Sequence, residues 1–441
     1  MIEADYVVVG SGAMGMAFTD VILTHTDATV AIVDRHDKPG GHWNDSYPFV
    51  RLHQPSAFYG VDSAELGSGR IDDRGGNAGL AELASGREVC AYYDQVMNHR
   101  FLPSGRVTHH PRSIYDHADG RISSIPSGRG QPARAHRAVV DASYMQVTVP
   151  STRPPAYGVA DGVTVIPPNG LPEADRPEGG YVIVGAGKTA MDAVLWLLSH
   201  EVDPAEITWI TPRDSWLLNR AMIQPGPGGL RVSEQYEIAA EADSTDVMFA
   251  ALEAAGHLLR IDPSVSPTMY RCATVTVAEL EQLRRVEGIV RMGRVVRIEP
   301  TELVLDQGAI EVHPETLYVD CSADGLERRP IVPVFADGRI TLQTVRACQQ
   351  VFSAALIARV EADASLDLDA KNELATVVPH PDETHHFVTN TLAHALNVMR
   401  WLGNPALLEW LGETRLSPVT KTVSPEVMGL AIANLQRFAS G

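Results

Sequence analysis

The chain has 441 residues, room for about three domains at roughly 150 residues each, with a globular balance of 44% hydrophobic and 21% charged residues. Its 36 Lys and Arg stand against 55 Asp and Glu, a net charge of -19, which excludes the electrostatic footprint of a general nucleic-acid binder. No apolar run approaches the roughly 18 residues of a membrane span, and the N-terminus has neither a basic region nor a cleavage site, so a cytoplasmic protein with no membrane partner is expected.

In chain order, a β-branched run at 6–9, a glycine-rich turn, a small-residue helix over about 12–25 and a second apolar run at 28–33 ending in Asp34 make one βαβ unit. A strand-turn at 138–143 follows, and then a stretch rich in Pro and Gly from 150 to 177 reads as a connection, with a boundary near residue 175. The βαβ grammar returns with a strand at 181–184, a turn at 185–190, a helix through Trp196 and Leu198, and a strand at 207–211. Residues 224–229 read as a loop, 234–259 as helical, and 289–298 with 302–312 as hairpin material. A second strand-turn, at 316–325, matches the one at 138–143, so the chain is expected to leave the first domain and return to it there. From 343 onward the pattern is mainly helical. The apolar stripe at 388, 392, 395, 396, 399 and 402 reads as a core face. Cys90, Cys272, Cys321 and Cys348 lie far apart, with no CxxC pair, zinc knuckle or dense disulfide framework. His380, His385 and His386 lack accompanying ligands at metal spacing, so they read as solvent-exposed loop histidines and no metal site is expected.

Gly10-Ser-Gly12-Ala-Met-Gly15 follows a strand and opens a helix. Gly10 permits the tight turn, Gly12 lets backbone approach a pyrophosphate, and Gly15 lets helix and strand pack closely, with the positive helix end toward the phosphates. Asp34, 19 residues after Gly15, stands where a carboxylate accepts hydrogen bonds from ribose hydroxyls. The second turn, Gly185-Ala-Gly187-Lys188-Thr189-Ala190, carries alanine in the third place, and Arg213 follows the next strand, where a guanidinium can hold a 2′-phosphate and select NADPH. Asp214 beside it leaves an NAD-type acid as the alternative. Lys188-Thr189 is not part of a P-loop, because the residue five before Gly187 is Val182 rather than glycine. No Gly-x-Ser-x-Gly nucleophile elbow is present.

Between the two turns, Gly40-Gly41-His42-Trp43 followed by Tyr47-Pro48 and Arg51 resembles the class B flavoprotein monooxygenases, the flavin-containing and Baeyer-Villiger monooxygenases, whose FAD-binding domain carries Gly-Gly-x-Trp, Tyr-Pro and Arg. The resemblance covers roughly residues 1–60, 180–216 and 295–325. It implies that Gly40, Gly41 and Trp43 bind the FAD and that Trp43, Arg51 and His53 or Gln54 lie near the isoalloxazine. Arg51 is the candidate for stabilising a peroxide or oxyanion by charge. His53 stands where Baeyer-Villiger enzymes usually place an Asp, and is either catalytic or a hydrogen-bonded structural histidine. The turn Asp320-Cys-Ser-Ala-Asp324-Gly325 resembles the family's late Ala-Thr-Gly segment, with Asp324 in place of Thr, and puts Asp324 and Gly325 at a cofactor. One fingerprint departs: Phe-x-Gly-x-x-x-His is missing, since residues 169–180 hold no histidine.

The expected fold is α/β, two Rossmann-like dinucleotide-binding domains with the second inserted in the first and a mainly helical C-terminal part. The FAD-binding domain takes 1–175 and 316–441, and the NADPH-binding domain 176–315. The resemblance implies an FAD- and NADPH-dependent monooxygenase acting on a small organic substrate and O2 through a flavin C4a-(hydro)peroxide. The competing readings are an NAD(P)H-dependent flavoprotein reductase or dehydrogenase without oxygenation, and a non-catalytic dinucleotide-binding protein. A disulfide reductase is disfavoured by the missing paired cysteines.

Overall fold

The computed structural model describes residues 1–440 apart from 227, 228, 230, 324 and 418–422. β1 (Ile2–Val9), α1 (Ala13–His25) and β2 (Val30–Val33) form the first expected unit. The β-branched run of β1 suits a strand covered on both faces, and Tyr6, Val7 and Val8 are fully buried. Next come α2 (Gly86–Val96), opened by a Ser85/Glu88 capping box, then β3 (Val107–His110), the hairpin β4 (Ser113–Asp116) and β5 (Arg121–Ser124), and β6 (Gly130–Asp141). The short strands β7 (Gly158–Val159) and β8 (Thr164–Ile166) precede the second unit, β9 (Tyr181–Val184), α3 (Lys188–Ser199) and β10 (Ile207–Ile210).

β11 (Ser215–Asn219), α4 (Val232–Glu241), α5 (Thr245–Ala254), β12 (Leu258–Leu259), β13 (Met269–Val275) and α6 (Val277–Leu283) follow. The helical stretch expected over 234–259 is therefore two helices and a strand, because Ser244 breaks it by capping α5. Then come β14 (Ile289–Val290), the meander β15 (Val295–Ile298), β16 (Glu302–Leu305) and β17 (Gly308–Glu311), and β18 (Leu317–Asp320). β19 (Phe335–Ala336), β20 (Arg339–Thr341), α7 (Gln350–Glu361), α8 (Leu368–Leu374), α9 (His385–Leu402), α10 (Pro405–Glu413) and α11 (Pro425–Ser440) complete the chain.

The first sheet runs β19-β20-β6-β1-β2-β3, parallel from β20 to β3, and the second runs β14-β10-β9-β18-β8, parallel throughout. Two expectations change here. The strand expected to return the chain to the first sheet, β18, lies in the second, hydrogen-bonded between β9 and β8. The return comes later, where β20 pairs with β6. The boundary expected near 175 also moves, since β7 and β8 pair with β15 and β18 and so already belong with the second unit.

α7 is buried almost all round because it packs along α1 on one side and against Trp401 and Trp410 on the other. The N-terminal half of α9 joins α4, α5 and α11 in a separate core around Trp216 and Phe387, so the C-terminal helices are shared between the first unit and this helical lobe. The stripe of α9 is rotated from the expected one: Met399 and Leu402 are exposed, while His394, Asn397 and Trp401 are buried. Among the described residues no helix is long and apolar enough to cross a membrane.

Candidate functional site at two glycine turns and a shared cavity

Both nucleotide-type helices start at glycine. Gly12 caps α1 and Gly187 caps α3, each in extended conformation and without a side-chain cap, so the first-turn N–H groups are not taken by side chains. Gly10 (φ 109°) and Gly185 (φ 130°) make the turns that enter them, a conformation that favours glycine. A Cβ on Gly15 would overlap the carbonyl oxygen of Gly10, which is the close helix-strand approach expected there. Ala190 is fully buried in the corresponding place. Gly40 and Gly41 lie across the first turn. The Gly40 N–H donates to the Ser11 carbonyl at 2.9 Å, and a Cβ on Gly41 would come within 2.9 Å of the Gly12 Cα. A Cβ on Gly187 meets nothing within 4 Å. Packing therefore gives no reason for glycine there.

Asp34 does not present free oxygens to a ribose. One oxygen accepts from the Ser11 N–H (2.6 Å) and hydroxyl (2.8 Å), the other from the His36 N–H (2.7 Å), with His36 Nδ1 3.0 Å away. The short aspartate side chain at the strand end reaches back into its own turn and locks it. Burial alone would raise the Asp34 carboxyl, but these bonds outweigh it and hold it below the usual range. His36 continues to Asp45 at 2.9 Å, and its bond to Asp34 with that to Asp45 raises its pKa against the effect of burial.

At the second turn the Lys188 ammonium contacts Asp192, whose other oxygen accepts from the Tyr47 hydroxyl at 2.6 Å. The Tyr-Pro motif is thereby tied to α3. Arg213 donates to Asp382 at 2.9 Å, and Arg271 and Arg328 converge on the same carboxylate. Burial opposes ionisation of Asp382, but Arg213 and Arg271 pull its pKa down to about 2. Asp214, the alternative NAD-type acid, is held by Arg291 at 2.8 and 3.1 Å.

A cavity of about 1160 Å³ joins these parts. Trp43, Tyr47, His53 and Gln54 line it, as do Lys188, Thr189 and Arg213 with Gly185 and Gly187. The Trp43 indole N–H donates to the Tyr59 hydroxyl at 2.7 Å, and Gln349 Nε2 donates to Gln54 Oε1 at 2.8 Å. His53 is shifted well below its ordinary pKa by burial and then by the charges of Lys188 and Arg220, so it is neutral at pH 7. Gly325 also lines the cavity; Asp324 lies outside the described residues. Arg51 does not line it. The residue is exposed, and its guanidinium donates to the Leu83 carbonyl at 2.8 Å beside the start of α2, so the expected oxyanion role is not supported by its position. The loop histidines expected to be solvent-exposed differ: His385 is exposed, while His386 accepts from the backbone N–H groups of Asp382 and Glu383. Among the described residues no group of His, Cys, Asp and Glu is arranged to hold a metal.

Further cavity residues were not singled out by any motif. Tyr236, Tyr270, Arg346 and His394 gather from α4, β13, the segment before α7, and α9. Cys272 and Cys348 also line the cavity and form a disulfide, with Cα atoms 6.5 Å apart. A separation of 76 residues hides such a pair from any spacing rule.

No protein-family model matches the chain. It is 52% identical over 429 residues to an uncharacterized protein of Mycobacterium tuberculosis and to one of Mycobacterium bovis, covering 96% of this chain and 79% of each relative. Among solved structures, an oxidized steroid monooxygenase bound to NADP aligns with a TM-score of 0.53 at 14% identity, covering 100% of this chain and 98% of the other. A polycyclic ketone monooxygenase from Thermothelomyces thermophila aligns with a TM-score of 0.53 at 12% identity, covering 100% and 88%.

Proposed function

Because the chain belongs to the family of these uncharacterized mycobacterial proteins and has the class B flavoprotein monooxygenase fold, we propose that it is an FAD-dependent, NADPH-using oxidoreductase that oxygenates a small organic substrate with O2. The observation that carries this reading is the single cavity onto which the Gly-Gly-x-Trp segment and the second glycine turn both open. On this reading the first sheet and its turn bind FAD, and the second sheet binds NADPH.

The residues present fit both groups. The uncapped N–H groups after Gly12 and Gly187 suit two pyrophosphates. The open space over Gly187 suits close backbone contact. Beside β2, the Nε2 atoms of His109 and His110 are buried without a partner among the described residues; as neighbours on one strand they face opposite sides of the sheet, so a bound purine edge would satisfy one of them at most. Bound FAD supplies hydride acceptance and O2 activation. The chain's own part is orientation and shelter. Tyr59 fixes the Trp43 indole, Gln349 fixes the Gln54 amide, and neutral His53 adds no charge to the cavity. The helical lobe, through α4 and α9, covers the far end and limits water. Arg213, one of three arginines around Asp382, is on this reading the group that meets a 2′-phosphate; Arg213→Ala is expected to weaken NADPH by about tenfold or more while leaving NADH unchanged.

The test is isotopic. NADPH oxidation under ¹⁸O₂, across amines, sulfides and ketones, is expected to place one ¹⁸O atom in an organic product. A second reading, an NAD(P)H-dependent reductase without oxygenation, draws on the disulfide in the cavity wall. There, NADPH and one proton open the Cys272–Cys348 bond to two thiols and leave NADP⁺. Two new thiols per chain under anaerobic NADPH, with no ¹⁸O in any product, would favour it.

A further inference from the structure

One end of the cavity holds a cation that pairs with no carboxylate among the described residues. Arg346 lines it; its Nη1 donates to the Ser417 hydroxyl at 2.9 Å, and its guanidinium lies over the Phe352 ring, 4.6 Å from the centroid. No carboxylate among the described residues lies within ion-pair distance of it. Burial draws its pKa down to about 10, which still leaves it charged at neutral pH. Arg346 is half-buried, and a guanidinium partly withdrawn from water without a carboxylate is commonly found facing an anionic ligand. Around it stand a second unsatisfied group and an apolar wall. His394 is 9% exposed with Nε2 unpartnered, and its Nδ1 lies 3.3 Å from the Tyr236 hydroxyl. Burial, and then the Arg346 charge, lower the His394 pKa to about 3, so the imidazole is neutral; in the tautomer that accepts from Tyr236 at Nδ1, Nε2 carries the proton and is a donor. Phe387, Leu416 and Tyr270 supply apolar surface to the same end.

We infer that this end of the cavity recognises an organic anion, a carboxylate on an apolar body, through Arg346 with His394 as a second donor. The inference rests on the cavity being the substrate site of the proposed oxidoreductase and names its substrate class. A guanidinium presents a planar fork to a carboxylate, and the pair is strong where water is excluded. The anion would anchor the substrate at the end lined by α4 and α9 and leave its apolar body directed along the cavity.

The test is calorimetric titration of the purified flavin-bearing protein with phenylacetate and 4-phenylbutyrate, each against its neutral amide. At least one acid is expected to bind tenfold or more tightly than its amide. Arg346→Met is expected to abolish the preference and leave the amide unchanged, and Arg346→Lys to retain part of it. The lysine variant keeps the result interpretable should the methionine variant fold poorly. Equal binding of acid and amide, no binding heat from either acid, or a preference that survives Arg346→Met overturns the inference. So does a result in which Arg346→Met lowers the flavin reduction potential but leaves acid binding intact, because the charge then serves the flavin. Binding heat is independent of turnover, so failure of the oxygenase reading and failure of this one are separately visible.

Discussion

Gly15 and Gly187 are glycines for different physical reasons. A methyl on Gly15 would overlap the Gly10 carbonyl, so Gly15→Ala is expected to lower stability by roughly 1–3 kcal/mol in thermal unfolding. Gly187 has extended backbone and no neighbour for its Cβ. Gly187→Val is therefore expected to leave the melting temperature within a few degrees of wild type while removing most NADPH affinity; unchanged affinity would sink the pyrophosphate assignment. The Asp34–His36 pair carries a pH signature. His36 has a raised pKa, so its stabilisation is full below its ordinary 6.5 and is lost as pH rises through the folded value. Asp34 is depressed, so its contribution is full above 3.8 and is lost as pH falls through its folded value. Their joint contribution is largest between about pH 4 and 6.5. Urea unfolding across pH should show the alkaline limb flattened in His36→Gln; parallel curves for variant and wild type would show that the imidazole is not the source.

The segment carrying His53 and Gln54 is held from outside its own unit. Arg220, at 0% exposure, donates to the His53 carbonyl at 2.7 Å, to Asn77 at 3.1 Å and to the Thr274 carbonyl at 3.3 Å, and pairs with Glu279 of α6 at 3.1 Å. Arg220→Met strands a carboxylate and a carbonyl, and is expected to destabilise by about 3–5 kcal/mol in urea unfolding. A loss below about 1 kcal/mol would mean that water replaces the guanidinium. Which elements could be read from the chain follows from how local their causes are. Both βαβ units were legible because a glycine turn, a buried strand and a helix are set within some thirty residues. The sheet to which β18 belongs was not. Asp141 and Asp320 end their strands alike, each accepting from the N–H and hydroxyl of the serine two residues on, so the two strand-turns look the same in sequence and differ only in distant partners. Arg51 sat in a motif and points outward, whereas Arg346 sits in none and faces the cavity. Spacing marks turns well, but it does not say which side of a loop meets a cleft.

At the scale of the molecule, the Cys272–Cys348 bond joins β13, packed with the helical lobe, to the segment entering α7 of the first unit. Linking residues 76 apart restricts the unfolded chain, an entropic effect of about 4.5 kcal/mol at most. Cys348→Ser is expected to lower the urea midpoint, with reductant lowering the wild type to match; identical midpoints for all three would show the bond adds no stability. The same bond also makes a covalent ring of the chain between 272 and 348, and the path from the second sheet back to the first runs inside that ring. Arg328 and Ile331 lie on its exposed rim. A trypsin cut beside Arg328 would sever the backbone running from β18 to β19 between those sheets, yet both pieces should migrate as one species until the sulfurs are reduced.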